Sequence, residues 1–436
     1  MLTPYETKGV NCEQLLKAVD NLGSQMKNRG SDLSSSDRES DISRARSKVL
    51  GHLDQIAISL KGPDEFIQGL SHGCQLLACL QWLVQFHVLG YIPPTGSAQA
   101  KDIADLVGVS EVGLSRIVSV VAAAGFLTEP QPGHIAHTAL SAPFVKDTAY
   151  VDTITFLANT AAPAASCMTA AMVQYQQMRM YHEARPSAYS LASKSSSSFD
   201  ADCQQRPKLL RRYESYIRCI SEAEQEMDDE DAVKLLLQLD WQALSNARVV
   251  IVNATSTKIL EALSTLYPTL RFAVQTAEVE RIRSDEGGGE QVGGHPISVR
   301  ILGSPQPVED AAVYILQIPQ FVHPILHGED QSLDPWLQAE LWVHFGLLGK
   351  NPSATLILIP RVYPEPGSVE RAVENAARLV DLTKMQLSNE RQCDLKELEA
   401  ALTTVRDNEG RLVVANRMTL RSTTMVALGI KYQRHG

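Results

Sequence analysis

The residues best equipped for chemistry in this chain are seven cysteines: Cys12, Cys74, Cys79, Cys167, Cys203, Cys219 and Cys393. A zinc site needs thiolates at short spacing, and a secreted disulfide framework needs an even number of them. No CxxC pair occurs and the count is odd. Neither a metal site nor a disulfide is therefore expected, and the thiols read as reduced and intracellular. The Gly-rich run Glu286 to Gly294 has no helix after it. It reads as a flexible loop between strands and not as a phosphate loop. The run Arg206-Pro207-Lys208-Leu209-Leu210-Arg211-Arg212 has two readings, a nuclear-import signal or the solvated face of a helix.

The elements that would position these residues follow from length and pattern. A chain of 436 residues suggests two or three domains, and 44% hydrophobic content is enough for sizeable cores. The net charge of -10 is poorly suited to direct nucleic-acid binding, which needs clustered Lys and Arg. The N-terminus shows no basic-then-apolar leader pattern, and no run approaches the ~20 apolar residues of a membrane span. No membrane association is expected. Residues 1–48, rich in Ser, Asp and Arg after a short helix at Asn11 to Met26, form a flexible segment. Apolar residues then recur at helical spacing over Val49 to Leu60 and again over Asp64 to Leu89.

A compact pattern follows. Ala100 to Val107 and Glu111 to Ala124 are two helices, joined by a turn with Ser110 as N-cap and closed by Gly125. Phe126 to Glu129 and Gly133 to Thr138 are two short strands about a Pro-Gly turn. Together they make a winged-helix module. Its second helix carries only Arg116 as a base and ends in Val and Ala. It is therefore expected to pack or dimerise and not to read DNA. The helical and winged-helix domain spans 49–146, and a helical connector, interrupted at Pro163 and Pro186, spans 147–235. Within the connector, Glu222 to Asp231 reads as an acidic solvated helix face or loop.

From 236 to 436 strands and helices alternate. Arg248 to Val252 reads as a buried strand, Leu270 to Gln275 as a strand, and Ile297 to Leu302, Ala311 to Ile318 and Ala354 to Ile359 as further apolar strands. Lys258 to Leu266, Pro335 to Leu348 and Ser368 to Leu387 read as helices, and Arg411 to Asn416 with Thr424 to Tyr432 as an antiparallel pair. The fold class is α/β, with a helical N-terminal half followed by a Rossmann-like, doubly wound sheet.

This layout resembles the plant-and-fungal type O-methyltransferases over nearly all of the chain after the N-terminal segment. The resemblance implies an S-adenosylmethionine site whose first strand enters a Gly-rich loop and whose second strand ends in an acid for the ribose. Here the loop is Asn253-Ala254-Thr255-Ser256-Thr257, without glycine. Thr276 stands where the acid belongs, with Glu278 two residues late, and Gly303-Ser304 replaces a Gly-Asp pair. The family's His-Asp-Trp run, which carries its general base, is absent. That place falls near Phe321, with His323 the nearest histidine between Pro319 and Pro324, and Pro360-Arg361 replaces the helper acid. These losses in one site imply a pseudo-enzyme with no catalytic residue and no cofactor.

A narrower match joins Cys74 to Leu80, Gly125-Phe126-Leu127, Pro132 to His137 and Gln204 to Leu209. These runs resemble the fungal O-methyltransferase-like transcriptional co-activators of aromatic polyketide gene clusters, of the aflatoxin-cluster and monodictyphenone-cluster type. The resemblance implies a nuclear and cytoplasmic co-activator that works with a Zn₂Cys₆ transcription factor to raise expression of such a cluster. It also implies a homodimer through the Asp64 to Leu89 helix and the winged helix, although these helices could equally form a monomer's core. The competing reading is an enzyme on the same scaffold. That enzyme would be a pericyclase- or dehydratase-like pocket enzyme, or an S-adenosylmethionine-dependent O-methyltransferase of the polyketide pathway.

Overall fold

The structure, a computed structural model, describes residues 60–178, 186–194, 197–225, 228–277, 291–318, 326–327 and 332–435, with scattered positions between 16 and 58. Nearly all of the segment 1–48, together with Glu278, Glu286 to Glu290, Phe321 and His323, lies outside the described residues. The described positions of 49–60 are helical, as their periodicity predicts. The chain divides into two compact units, one of residues Met1–Ile220 with Met385–Asn389, the other of Ser221–Lys384 with Glu390–Gly436.

The first unit begins its well-packed part with helix α1 (Pro63–Gln85). Its C-terminal half packs inward at Leu83, while Phe66, Ile67 and Leu70 near its start are 61%, 62% and 58% exposed. Strand β1 (Ala98–Gln99) leads into α2 (Ala100–Val107) and α3 (Glu111–Ala123). The Ser110 hydroxyl accepts the Gly113 amide and so caps α3, and Gly125 takes φ +76° to turn the chain outward. Strands β2 (Leu127–Gln131) and β3 (His134–His137) close the small sheet in the order β1-β3-β2. The apolar run of α3 is explained by this packing. Leu114, Val118 and Val121 are fully buried with Leu83, Ile103 and Ile135.

The next helices correct one expectation. Pro163 does not break the chain. After α4 (Pro143–Lys146), helix α5 (Thr148–Phe156) runs through a π turn, Leu157–Ala161, into α6 (Ala162–Met178). A proline lacks a donor and clashes with the carbonyl four residues earlier, here Asn159. The wider π turn moves that carbonyl away, so the helix continues. A second correction follows. The continuous helix Thr148–Gln174 is long and apolar enough to cross a membrane by length and composition, whereas no such run was expected. Its buried side chains instead meet protein. Phe156, Ala161 and Ala164 pack with residues of α7 (Ala188–Ser193), α8 (Phe199–Gln205) and α9 (Pro207–Gln225). Asp152 on the same helix is buried, and its carboxylate accepts Arg211 Nε at 2.7 Å. The basic run is thereby partly absorbed into the fold, since Arg212 also approaches Asp152 and Arg206 pairs with Asp202.

The second unit opens with α10 (Asp228–Leu236). Asp231, expected on a solvated face, is instead 1% exposed and pairs with Lys234 and the Ser422 hydroxyl. Buried Trp241 anchors the turn that follows by donating its indole N–H to Leu236 O at 2.7 Å. Then come β4 (Arg248–Val252), α11 (Lys258–Leu266), β5 (Arg271–Thr276), β6 (Gln291–Val292), β7 (His295–Val299) and β8 (Val313–Gln317). Short strands β9 (Leu326–His327) and β10 (Ser332–Leu333) pair separately. The remainder is α12 (Pro335–Lys350), β11 (Thr355–Ile359), α13 (Arg371–Ser388), α14 (Leu395–Thr403), β12 (Gly410–Thr419) and β13 (Val426–Arg434).

The main sheet has the order β12-β13-β11-β8-β4-β5-β7-β6. Its centre, β11-β8-β4-β5-β7, is parallel, and β13 joins β11 antiparallel. Strands buried on both faces must be apolar throughout, as Val249 to Val252 and Val313 to Leu316 are. Both faces carry their own core, one around Leu341, Leu356 and Leu428, the other around Ile251, Leu263 and Ile315. Strand order reverses at β4, which has β5 on one side and β8 on the other. The crevice at the carboxyl end of β4 is therefore where this architecture places a ligand.

Candidate functional site

The turn after β4 is Asn253 to Thr257, and each of its residues is tied down by the protein itself. Asn253 adopts a left-handed backbone, φ +57°, where a glycine would ordinarily sit. Asparagine tolerates that region better than other side chains do. Its amide nitrogen donates to Gln317 O at 2.9 Å. The Ala254 N–H donates to Gln275 O at 2.8 Å, and the Thr255 N–H to Gln317 Oε1 at 3.2 Å. Ser256 Oγ accepts the Lys258 amide, and Thr257 Oγ1 donates to Glu261 Oε1 at 2.6 Å. Gln317 ends β8 and is 7% exposed, so one buried side chain stitches two strand ends together.

At the end of β5, Thr276 is 3% exposed and its carbonyl accepts the Arg300 amide at 3.0 Å. Beside it Gln275 and Gln306 are both buried and exchange side-chain amide hydrogen bonds, Gln306 Nε2 to Gln275 Oε1 at 2.9 Å. This reciprocal pair satisfies groups that would otherwise be costly to bury.

The turn after β7 is held by a buried ion pair that the sequence did not disclose. Arg300 Nη1 and Nη2 donate to Glu340 Oε1 and Oε2 at 2.7 and 3.1 Å, a two-pronged fork. Side-chain exposures are 3% and 0%. Glu340 Oε2 also accepts the Gly303 N–H at 2.6 Å. Gly303 takes φ +81°, which favours glycine, and a β-carbon there would crowd Ala339 Cβ at 3.3 Å. Ser304 fixes the turn by donating to Ile301 O and accepting Arg300 Nη2 at its carbonyl. One turn along α12, His344 is fully buried. Its Nδ1 lies 3.0 Å from Glu340 O and its ring edges onto Tyr314. The carbonyl can only accept, so Nδ1 carries the proton. Burial pushes the imidazole below its ordinary range, against the pull of Glu340. Among the described residues Arg300 Nε and His344 Nε2 find no hydrogen-bond partner.

The structure thus brings Asn253 to Thr257 and Thr276 to the carboxyl ends of β4 and β5, with Gly303-Ser304 in the turn that follows β7. The third amide of the set, Gly303 N–H, is spent on Glu340. The bonds of Ala254, Thr255 and Gly303 are internal, so these amides hold one another's strands instead of reaching outward. Arg361, in the helper acid's place after β11, is 7% exposed and donates to Thr424 Oγ1 at 3.2 Å. Among the described residues no group of three or more His, Cys, Asp or Glu could hold a metal ion. Cys203 and Cys393 are buried thiols pushed up to about 12 by desolvation first and nearby carboxylates second, which leaves them protonated and inert. Gln317, Arg300, Glu340 and His344 were missed in the sequence. The available signal was polar residues four apart on the otherwise apolar α12, and an arginine closing an apolar strand.

No protein-family model matches the chain. It is 42% identical to a transcriptional coactivator of Pseudocercospora fijiensis over 82% of this chain and 96% of that one. It is 35% identical to the monodictyphenone cluster transcriptional coactivator of Emericella nidulans over the whole of both chains. The geodin cluster transcriptional coactivator of Aspergillus terreus is 38% identical, over 84% and 95%. Among solved structures, OxaC is similar with a TM-score of 0.58 at 17% identity, covering 98% of this chain and 100% of that one. LepI in complex with SAM gives 0.58 at 13% over 97% and 100%, and the mitomycin 7-O-methyltransferase MmcR 0.52 at 16% over 85% and 98%. These likenesses show a methyltransferase-type fold.

Proposed function

The chain belongs to the transcriptional coactivators of fungal secondary-metabolite clusters, and on that premise we propose that it is a non-catalytic nuclear regulator. In this reading it raises expression of an aromatic polyketide cluster beside a DNA-binding factor of the Zn₂Cys₆ type. The observation that carries it is identity above one third along nearly the whole chain to relatives named for coactivation and not for catalysis. The division of labour is consistent with charge. A chain of net charge -10 whose second module helix holds Arg116 as its one base is a poor phosphate binder, so DNA contact falls to the partner.

The non-catalytic part rests on the crevice at β4. A bound S-adenosylmethionine needs free backbone amides, close approach and an acid for its ribose. Here the Ala254, Thr255 and Gly303 amides are engaged internally, and Thr276 offers a hydroxyl in place of a carboxylate. We infer that the residues do not fit this cofactor. Calorimetric titration of the full chain with S-adenosylmethionine is expected to give no binding heat up to millimolar concentration. Micromolar binding would overturn the non-catalytic reading. Deleting the gene is expected to lower many cluster transcripts together. Unchanged transcripts with one accumulated intermediate would instead point to a pocket enzyme. Pull-down of the cluster's Zn₂Cys₆ factor tests the partner directly.

A further inference from the structure

A cavity of about 400 Å³ opens in the second unit, beyond the carboxyl end of β11. Its wall is built by the loop after β11, the first turn of α14 and the facing ends of β12 and β13. None of Asn253 to Thr257, Thr276 or Ser304 lines it. We propose that this cavity is a binding site for an uncharged, largely apolar small molecule that carries a hydroxyl or carbonyl edge.

Size argues for a small molecule. Small-molecule sites enclose roughly 300–1,000 Å³, whereas even two turns of a helix about 10 Å across fill roughly 800 Å³. The lining supplies the chemistry. Val362, Val369, Leu395, Leu420 and Met425 give an apolar interior. Most of the polar lining is already used. Thr424 accepts Arg361, Thr423 accepts the Met425 amide and Ser368 donates to Glu365 O. The Tyr363 phenol and the Thr419 hydroxyl differ, since among the described residues neither makes a hydrogen bond within the chain. They are the two groups left to meet a polar edge on a ligand.

Charge selects against an ion. The lining cation Lys396 pairs with the lining anion Glu365 at 2.7 Å, and Arg417 donates to Glu399 Oε2 at 2.6 Å. Each lining charge thus has an opposite partner, so the lining presents no unbalanced charge to attract an ion. The Glu365–Lys396 bridge also ties the loop after β11 to α14. The site needs no cofactor and is independent of whether the chain regulates transcription.

The test uses the full chain and 2-naphthol, followed by its own fluorescence at neutral pH. One saturable site with a Kd on the order of 100 μM is expected for so small a ligand. Thr419→Trp, at an exposed strand end, should fill the cavity and weaken binding at least tenfold. Tyr363→Phe keeps the ring and should weaken it several-fold, with naphthalene itself indifferent to that change. Circular dichroism checks that both variants fold. Absence of saturable binding, or binding that neither substitution alters, would overturn the proposal, the latter placing the probe on an exposed apolar surface.

Discussion

His344 is a fully buried group whose proton depends on its surroundings. It sits among Glu340, Arg300 and Tyr314, with Nδ1 donating to a carbonyl and Nε2 without a hydrogen-bond partner among the described residues. Desolvation lowers its pKa first of all, and Glu340 opposes that shift. The folded protein therefore keeps the ring neutral at a pH where the unfolded chain, titrating near ~6.5, already takes a proton. The unfolded state then binds more protons, so stability rises with pH. The contribution is complete above ~6.5 and is lost as pH falls toward the folded pKa, at most about 1.4 kcal/mol per pH unit. Urea unfolding at pH 7, 6 and 5 should show this slope in the wild type and a shallower one in His344→Gln. Equal slopes would mean that folding does not shift His344, and a wild-type slope smaller than the variant's would mean that the fold holds the ring as a cation beside Glu340.

Among the elements, the turn after β4 shows how far the sequence could be read. Strand Arg248–Val252 and helix Lys258–Leu266 lie where their periodicity put them, as do α2, α3 and the hairpin after Gly125. Short elements with one dominant pattern announce themselves. Helix α14 was not foreseen, because its signal is a capping box of Asp394 and Glu397 and not a long apolar stripe. Pro163 misled because a π turn, which has no local signature, absorbed it. The absence of glycine in Asn253 to Thr257 was legible. What replaces a ligand there was not, since Gln317 lies 64 residues beyond its Asn253 partner. That clamp is open to test. Asn253→Ala loses both the asparagine's tolerance of φ +57° and its bond to Gln317, and should cost about 2 kcal/mol. Asn253→Gly loses only the bond and should cost about 1 kcal/mol or less. Calorimetric melting that ranks Ala below Gly supports the clamp, and the reverse order refutes it. Asn253→Gly should still not bind S-adenosylmethionine, because the Ala254 and Thr255 amides stay engaged.

At the scale of the whole molecule, the first unit carries an apolar surface that is exposed at the start of α1. Phe66, Ile67 and Leu70 lie within one and a half turns at the start of α1, and each is more than half exposed. Scattered exposed apolar residues need no explanation, but three large ones on one short stretch of helix form a contiguous patch. The homodimer that the resemblance implies through this helix would cover it, with the same patch facing itself about a two-fold axis, the commonest way for identical chains to associate. Burial of such side chains contributes roughly 1.5–3 kcal/mol each, doubled by symmetry and offset by the cost of association. Light scattering on the full chain at tens of micromolar should therefore report a dimer. Phe66→Glu with Leu70→Glu places like charges across the axis and should give a monomer. The melting midpoint of that monomer should be unchanged at low concentration, because neither side chain belongs to the buried core built around Leu83. A wild type that is monomeric at this concentration would leave the patch to a different protein. The double variant should then lose the transcription-factor partner in pull-down while its fold stays intact.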